Sequence, residues 1–133
     1  GKSGKLLNEL LIKAGIDYKE DVYFCNVIKC RPPNNRKPTT REINIHKPWL
    51  LQQIKLVDPK IILLTGSTAM RTILDVKDPI SNLRGQWIKK DGREIMVIFH
   101  PSYLLRFSSK EINKPYHLTL KDLENVSGKL YAL

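Results

Sequence analysis

The pattern of apolar and polar positions predicts helices at both ends of the chain. Residues 5–14 carry apolar side chains at helical spacing, and Gly15 follows where a helix C-terminal cap is favoured. A second helix is predicted behind a Thr39 or Thr40 cap, and Asp58-Pro59 ends it. The residues expected to be buried on this second helix, with Pro48 as a kink, are Ile43, Trp49, Leu50, Leu51, Ile54 and Val57.

Three continuous apolar runs predict strands that are covered on both faces. These runs are residues 21–29, 60–66 and 94–99. The segments between and after them are predicted as a helix over 67–74, a loop over 78–85, an edge strand over 86–90, an Asp91-Gly92 turn, a helix from Pro101, a loop over 107–114 and a helix over 116–130. Strands that alternate with helices indicate an α/β domain with a largely parallel sheet.

Polar residues stand at or near the ends of all three predicted strands. Asn26 lies within the first strand, Gly66-Ser67 follows the second, and His100-Pro101-Ser102 follows the third. Because ligands of open parallel sheets collect at the carboxyl ends of the strands, we expect these three segments to converge on one rim.

The charge of the chain points to a polyanionic partner. Its 133 residues include 23 Lys and Arg against 13 Asp and Glu, a formal net charge of +10. Nucleic acid is therefore the first partner to consider. With 41% hydrophobic and 27% charged residues, the composition excludes disordered and fibrous classes. No apolar run is long enough to span a bilayer, so we expect a cytoplasmic protein with no membrane partner.

Two residues at the rim have both a structural and a functional interpretation. A buried amide at Asn26 either bonds internally or waits for a ligand, and its donor and acceptor suit the edge of uracil. A lone His100 is by default structural, but the basic loop over 31–37, together with Arg84 and Arg106, favours a base pocket beside a phosphate track.

Common catalytic signatures are absent from the sequence. The segment 1–5 lacks the spacing of a phosphate-binding loop, and no HExxH, GxGxxG or GxSxG motif occurs. The two cysteines, Cys25 and Cys30, form no CxxC motif and are expected to be reduced thiols.

Three segments in order carry a family resemblance. They are Val22-Tyr23-Phe24-Cys25-Asn26-Val27-Ile28-Lys29-Cys30-Arg31-Pro32-Pro33-Asn34-Asn35-Arg36, Ile80-Ser81-Asn82-Leu83-Arg84-Gly85-Gln86-Trp87 and His100-Pro101-Ser102-Tyr103-Leu104-Leu105-Arg106. They closely resemble the family 4 uracil-DNA glycosylases, the iron–sulfur type. The resemblance implies a three-layer α/β/α sandwich with a four-stranded parallel sheet, and DNA repair by hydrolysis of the N-glycosidic bond of uracil flipped out of DNA.

The resemblance also implies roles for individual residues. Asn26 and His100 would bind uracil, with His100 donating to uracil O2, and Asn35 would assist catalysis at the sugar or the water. The residues implied to contact DNA are Arg31, Arg36, Lys37, Arg84, Pro101, Ser102 and Arg106. The segment 104–106 would enter the space left by the flipped nucleotide, although simple helix packing explains its leucines equally well.

The first motif of the family, Gly-Glu-x-Pro-Gly, is not found in the sequence. We therefore expect 1–133 to be a single glycosylase-like domain that lacks its N-terminal, central strand and this motif, and to be poorly stable without that strand. The activity of the chain by itself is left open, and a catalytically inactive DNA-binding remnant is the alternative function. We expect a monomer that acts on uracil-containing DNA.

The family's [4Fe-4S] cluster, held by four cysteines, finds a weak match in this chain. Cys30 corresponds to the third ligand position, and His46 stands where the fourth cysteine is expected. We therefore expect no cluster in this chain.

Overall fold

A computed structural model describes residues 1–25 and 39–133 of the chain. Helices account for most of the described elements. They are α1 (Lys2–Lys13), α2 (Tyr18–Asp21), α3 (Thr40–Val57), α4 (Ser67–Leu74), α5 (Ile80–Leu83), α6 (Pro101–Arg106) and α7 (Pro115–Leu130). No helix in this part of the chain is both long and apolar enough to cross a membrane.

The described sheet has three strands in the order β1-β3-β2, where β1 is Ile61–Thr65, β2 is Trp87–Lys90 and β3 is Arg93–Ile98. Strands β1 and β3 are parallel, and their register pairs Thr65 with Ile98. Strands β2 and β3 are antiparallel, because Asp91 and Gly92 take positive φ values of 52° and 76° and close a tight hairpin. The α/β class is therefore confirmed, whereas the described strands form a mixed sheet.

Helices cover both faces of the sheet because the side chains of β3 alternate between two cores. Met96 and Ile98 pack with residues of α1, α6 and α7. Ile95 and Val97 pack with residues of α3, α4 and β1. The burial predicted for this strand is thus confirmed, and β3 joins the two halves of the structure.

One edge of β1 is open in the described part of the chain, where β3 is the strand paired with it. A mainly apolar cavity of about 450 Å³ lies along β1. Its lining includes Leu63 of β1, Ile54 of α3 and Leu11 of α1.

The predicted strand over 21–29 is wrong in its described part. Asp17 caps α2 by accepting a hydrogen bond from the Glu20 backbone N–H, and α2 extends through Asp21. Residues 22–25 are not in a strand, and the Tyr23 and Phe24 side chains are exposed. The capped turn draws the start of this segment into a helix, and residues 26–29 lie outside the described residues.

Helix α3 begins and ends as predicted but buries less than predicted. The Thr39 side chain accepts from the Glu42 N–H and the Glu42 carboxylate accepts from the Thr39 N–H, a capping box. Leu50 is buried and Ile43 and Ile54 are partly buried, whereas Trp49 is 58% exposed. Leu51 and Val57 are also exposed, so the predicted burial is wrong for these three residues. Val57 lines the cavity along β1 together with Leu50, whereas Trp49 and Leu51 do not line it.

The remaining elements match the sequence closely, with one addition. Helices α4, α6 and α7 and strands β1, β2 and β3 form within one or two residues of the predicted bounds. The exception is α5, a single helical turn inside the predicted loop over 78–85. Pro79 directly precedes it as the N-cap, with an extended backbone at φ −61° and ψ 143°.

A partly buried ion pair links α7 to the segment before β2. Arg84 donates from Nε to Asp122 Oδ2 at 3.1 Å and from Nη2 to Asp122 Oδ1 at 2.7 Å. Asp122 is 5% exposed, and its burial raises the pKa of its carboxyl, which Arg84 partly offsets. A Cβ at position 85 would lie 2.7 Å from Asp122 Oδ1, so the absence of a side chain at Gly85 allows the Asp122 carboxylate to approach the backbone here. The bidentate geometry makes this the best-defined ion pair of the described residues.

We expect Asp122→Asn to lower the free energy of unfolding by roughly 2–3 kcal/mol, because it leaves the partly buried Arg84 guanidinium without a charged partner. Chemical denaturation measures the change. Glu124→Gln is the matched control on the same helix, since the Glu124 pair with Lys121 is exposed and 3.6 Å long. Equal losses in the two variants would show that the Arg84 pair contributes nothing special.

Candidate active site

The site is built around His100, directly beyond the buried strand β3. His100 is the N-cap of α6, with φ −67° and ψ 140°, and Pro101 occupies the first turn of that helix. Pro101 is buried, whereas His100 is exposed. Because β3 is packed on both faces, the backbone that carries the imidazole has little freedom to move.

Two groups of Ser102 determine which ring nitrogen of the neutral His100 imidazole carries the proton. The Ser102 backbone N–H donates to His100 Nδ1 at 3.1 Å, and Ser102 Oγ lies 2.7 Å from the same nitrogen. An amide N–H can only donate, so Nδ1 must be the acceptor and the neutral ring carries its proton on Nε2. Partial burial lowers the pKa of His100. The ring is therefore arranged as a neutral donor through Nε2–H.

Gly66 forms the floor beneath the imidazole. It is the N-cap of α4, and its φ of 92° and ψ of 167° are values that other residues rarely adopt. A Cβ at this position would lie 3.0 Å from His100 Cβ. The Gly66 N–H also donates to the Ile98 carbonyl at 2.9 Å, which ties the ends of β1 and β3 together. The predicted convergence of the segments at Gly66 and His100 is thus confirmed.

Arg84 reaches the site indirectly. Its guanidinium is engaged by Asp122, and its Cζ lies 6.0 Å from the centre of the Phe99 ring, immediately before His100. A cation over an aromatic face is a favourable contact. The predicted contact of Arg84 with DNA stays a prediction, and the structure gives the side chain an internal role beside the site.

The other predicted residues of the third motif differ in accessibility. Leu104 is 2% exposed and belongs to the core, which supports the packing interpretation for this residue, and its insertion into DNA stays a prediction. Leu105 and Arg106 are exposed. Ser102 is exposed too, although its N–H is engaged by His100. Contacts of DNA with Pro101, Ser102 and Arg106 stay predictions.

Several predicted site residues lie outside the described part of the chain. Both predicted asparagines of the site, three basic residues and one cysteine are affected: Asn26, Cys30, Arg31, Asn35, Arg36 and Lys37. His46 is described, lies on α3 and is partly buried. Within residues 1–25 and 39–133, no three His, Cys, Asp or Glu side chains are grouped so that they could hold a metal ion.

The sequence interpretation did not single out Asp122 or the contact between Gly66 and His100. A signal for Asp122 existed, because it is a carboxylate within the buried set of α7, which includes Thr119, Leu123 and Val126. A charged residue on a buried helical face normally has a partner. The identity of that partner, 38 residues away in sequence, could not be read from the pattern.

Comparison with known proteins places most of the chain in one family. Residues 1–124 match the profile of the "Uracil DNA glycosylase superfamily". A "Type-4 uracil-DNA glycosylase" from Thermotoga maritima is 44% identical over 132 residues, which cover 96% of this chain and 66% of that protein. The protein of the same name from Archaeoglobus fulgidus is 34% identical, with 97% of this chain and 67% of the relative covered.

A third relative has a different name. A "DNA polymerase" of Bacillus phage SP01 is 34% identical over 130 residues, which are 98% of this chain but 13% of that protein. This chain thus spans about two thirds of the two glycosylases, at 66% and 67%, and matches a small part of the polymerase.

We expect His100 to titrate below its ordinary pKa of 6.5, with Nδ1 unprotonated in the neutral form. Because the folded pKa is the lower one, the contribution of His100 to stability is complete above pH 6.5 and is lost as the pH falls through the folded pKa. Nitrogen-15 NMR of the imidazole measures both features. Ser102→Ala, which keeps the backbone donor, should retain the tautomer. A proton found on Nδ1 at neutral pH would contradict the assignment.

Proposed function

The chain belongs to the uracil DNA glycosylase superfamily, as the sequence motifs predicted, and we propose that it hydrolyses the N-glycosidic bond of uracil flipped out of DNA. One observation carries the proposal. The imidazole of His100 stands at the end of a rigid strand with Nδ1 engaged by Ser102, which leaves Nε2–H as the donor toward a ligand. The activity belongs to base-excision repair of DNA.

The chemistry requires stabilisation of negative charge on the departing base. As the bond between sugar C1′ and uracil N1 breaks, its electron pair leaves with uracil and is delocalised onto O2. A neutral Nε2–H donor at His100 stabilises that oxygen without having to give up its proton. A water oxygen then bonds to C1′ and loses a proton to solvent, and the departing uracil anion takes up a proton from solvent, so the products are uracil and an abasic sugar.

Uracil recognition is assigned to Asn26, in keeping with the sequence resemblance. Its side-chain carbonyl would accept from uracil N3–H and its amide would donate to O4, a pairing that cytosine does not offer. Asn35 is assigned to the sugar or the attacking water. Both assignments stay predictions, since they rest on the match of the motif around these residues.

The DNA backbone is proposed to follow the basic residues of the rim. The net charge of +10 supports a polyanionic substrate. Arg106 is exposed in the last turn of α6, beyond His100. Arg31, Arg36 and Lys37 are proposed to continue this contact, whereas Arg84 is proposed to act on the site mainly through Asp122 and Phe99.

The finer expectations about architecture stay proposals. We infer that the full fold is a three-layer α/β/α sandwich with four parallel strands besides the antiparallel β2, and the open edge of β1 beside an apolar cavity supports a further strand at that edge. A further strand and first motif upstream of Gly1, a single domain over 1–133, a monomeric state and a cytoplasmic location also stay predictions.

We further infer that this chain by itself holds no [4Fe-4S] cluster. Such clusters need four thiolate ligands, whereas the chain contains two cysteines, and Cys25 is exposed before the Pro-rich segment. The predicted ligands Cys30 and His46 are thus weak candidates. We derive no catalytic step through a cluster.

We expect the purified chain to be colourless and to contain less than stoichiometric iron. Iron analysis and the absorbance spectrum in the visible region measure this. His46→Ala should leave both unchanged. A stoichiometric amount of iron that Cys30→Ser removes would overturn the expectation and make Cys30 a ligand.

We expect His100→Ala to lower the rate of uracil release from single-stranded DNA by about 100- to 1,000-fold, the usual cost of losing one donor to a developing anion. A gel assay of abasic-site formation measures the rate under single-turnover conditions. His117→Gln is the control, because His117 lies in α7 and accepts from the Asn113 N–H rather than from Ser102. If the unchanged chain released no uracil yet bound DNA, the alternative of an inactive DNA-binding remnant would replace the proposal.

A further inference from the structure

Three aromatic rings form a continuous row beside the active site. The ring centres of Phe99 and Tyr103 are 5.0 Å apart, and those of Tyr103 and Phe107 are 4.8 Å apart. The rings are tilted by 36° and 49° to each other. These are attractive aromatic contacts, so the row has a defined geometry. It begins one residue before His100 and runs along α6 away from it.

The outer two rings of the row are accessible to solvent. Tyr103 is 39% exposed and Phe107 is 49% exposed. Both line a cavity of about 370 Å³, together with Ser108, Ser109, Lys114 and Pro115. Neighbouring large aromatic surfaces that stay exposed are unfavourable in water and often mark a binding surface.

The surroundings of this aromatic row are cationic. Arg106, Lys110 and Lys114 are exposed on the segment that follows the site, against one exposed carboxylate, Glu111. Lys110 Nζ lies 5.1 Å from the centre of the Tyr116 ring, which holds one of these charges close to α7. Exposed aromatic rings among basic side chains are typical of surfaces that bind single-stranded nucleic acid.

We propose that Tyr103 and Phe107 form a stacking platform for an unpaired base of the DNA strand that carries the target nucleotide. This inference rests on the proposed function for its choice of DNA as the ligand. Two observations select a nucleobase over an apolar protein segment. The surrounding charges complement phosphates, and the aromatic row is continuous with the residue that precedes His100.

Tyr103 and Phe107 have different roles in the platform. Tyr103 contacts both Phe99 and Phe107, so it fixes the spacing of the row. Phe107 lies at the end, caps α6 through its N–H bond to the Tyr103 carbonyl, and offers the more exposed ring. A base stacked on Phe107 leaves its hydrogen-bonding edge unread, so the platform is expected to accept any base.

The test is binding of a short single-stranded oligonucleotide without uracil, measured by fluorescence anisotropy at fixed salt. We expect Phe107→Leu to weaken binding by roughly 5- to 150-fold, the range for loss of one stacked base. Phe107→Trp should retain the affinity because it keeps an aromatic face. The matched control is Ile112→Ala, which removes an exposed apolar side chain from the neighbouring loop.

A position scan distinguishes stacking from other effects of the substitution. In a second oligonucleotide, a uracil nucleotide with an uncleavable glycosidic bond is placed at one end to set the register, and each other base is replaced in turn by an abasic analogue. The unchanged chain should lose affinity mainly at one or two positions, and Phe107→Leu should abolish that position dependence while keeping the salt dependence. Uracil release and oligonucleotide binding by the unchanged chain are measured in separate assays, so failure of the proposed function is distinguished from failure of the platform. Equal binding by Phe107→Leu and the unchanged chain, or a flat scan for the unchanged chain, would overturn the platform.

Discussion

The burial of β3 on both of its faces fixes the position of the groups around His100. Ile95 and Val97 are locked into one core and Met96 and Ile98 into the other, so the strand cannot shift without disturbing both. The backbone of His100 is held in place as well, because His100 follows Ile98 by two residues. The position of the donor proposed at His100 thus depends on hydrophobic packing, although the imidazole itself is polar.

Local polar contacts then fix the tautomer of His100 and the position of the Arg84 side chain. Ser102 sets the proton on the imidazole, and Arg84 supports Phe99 while it is held by Asp122. Burial shifts the pKa values of these two groups in opposite directions: it raises the pKa of the Asp122 carboxyl and lowers the pKa of the His100 imidazole. In each case burial disfavours the charged form. Arg84 supplies a counter-charge to Asp122, whereas the role proposed for His100 requires the neutral imidazole.

The sequence predicted those parts of the fold that depend on local pattern. The bounds of α7 and β3, the cap of α3 at Thr39 and the turn at Asp91-Gly92 follow from short-range rules and are confirmed. Exposure of Trp49 was not predictable, because periodicity marks an apolar face without saying whether another element covers it. His100 and Gly66 were placed together correctly, whereas the Arg84 pair depends on tertiary contacts. Asn26 and Asn35 lie outside the described residues, so their predicted roles stay predictions.

The contact between Gly66 and His100 has a consequence for how this site can change over evolution or in the laboratory. A side chain at position 66 would occupy the space of the imidazole and would also need a backbone conformation that it rarely adopts. A smaller residue at position 100 would relieve only part of this conflict, because the nearest atom is His100 Cβ, which every residue except glycine has, and the backbone conformation at position 66 stays unfavourable. Position 66 is therefore restricted to glycine largely independently of the side chain at position 100, and libraries gain little from varying it.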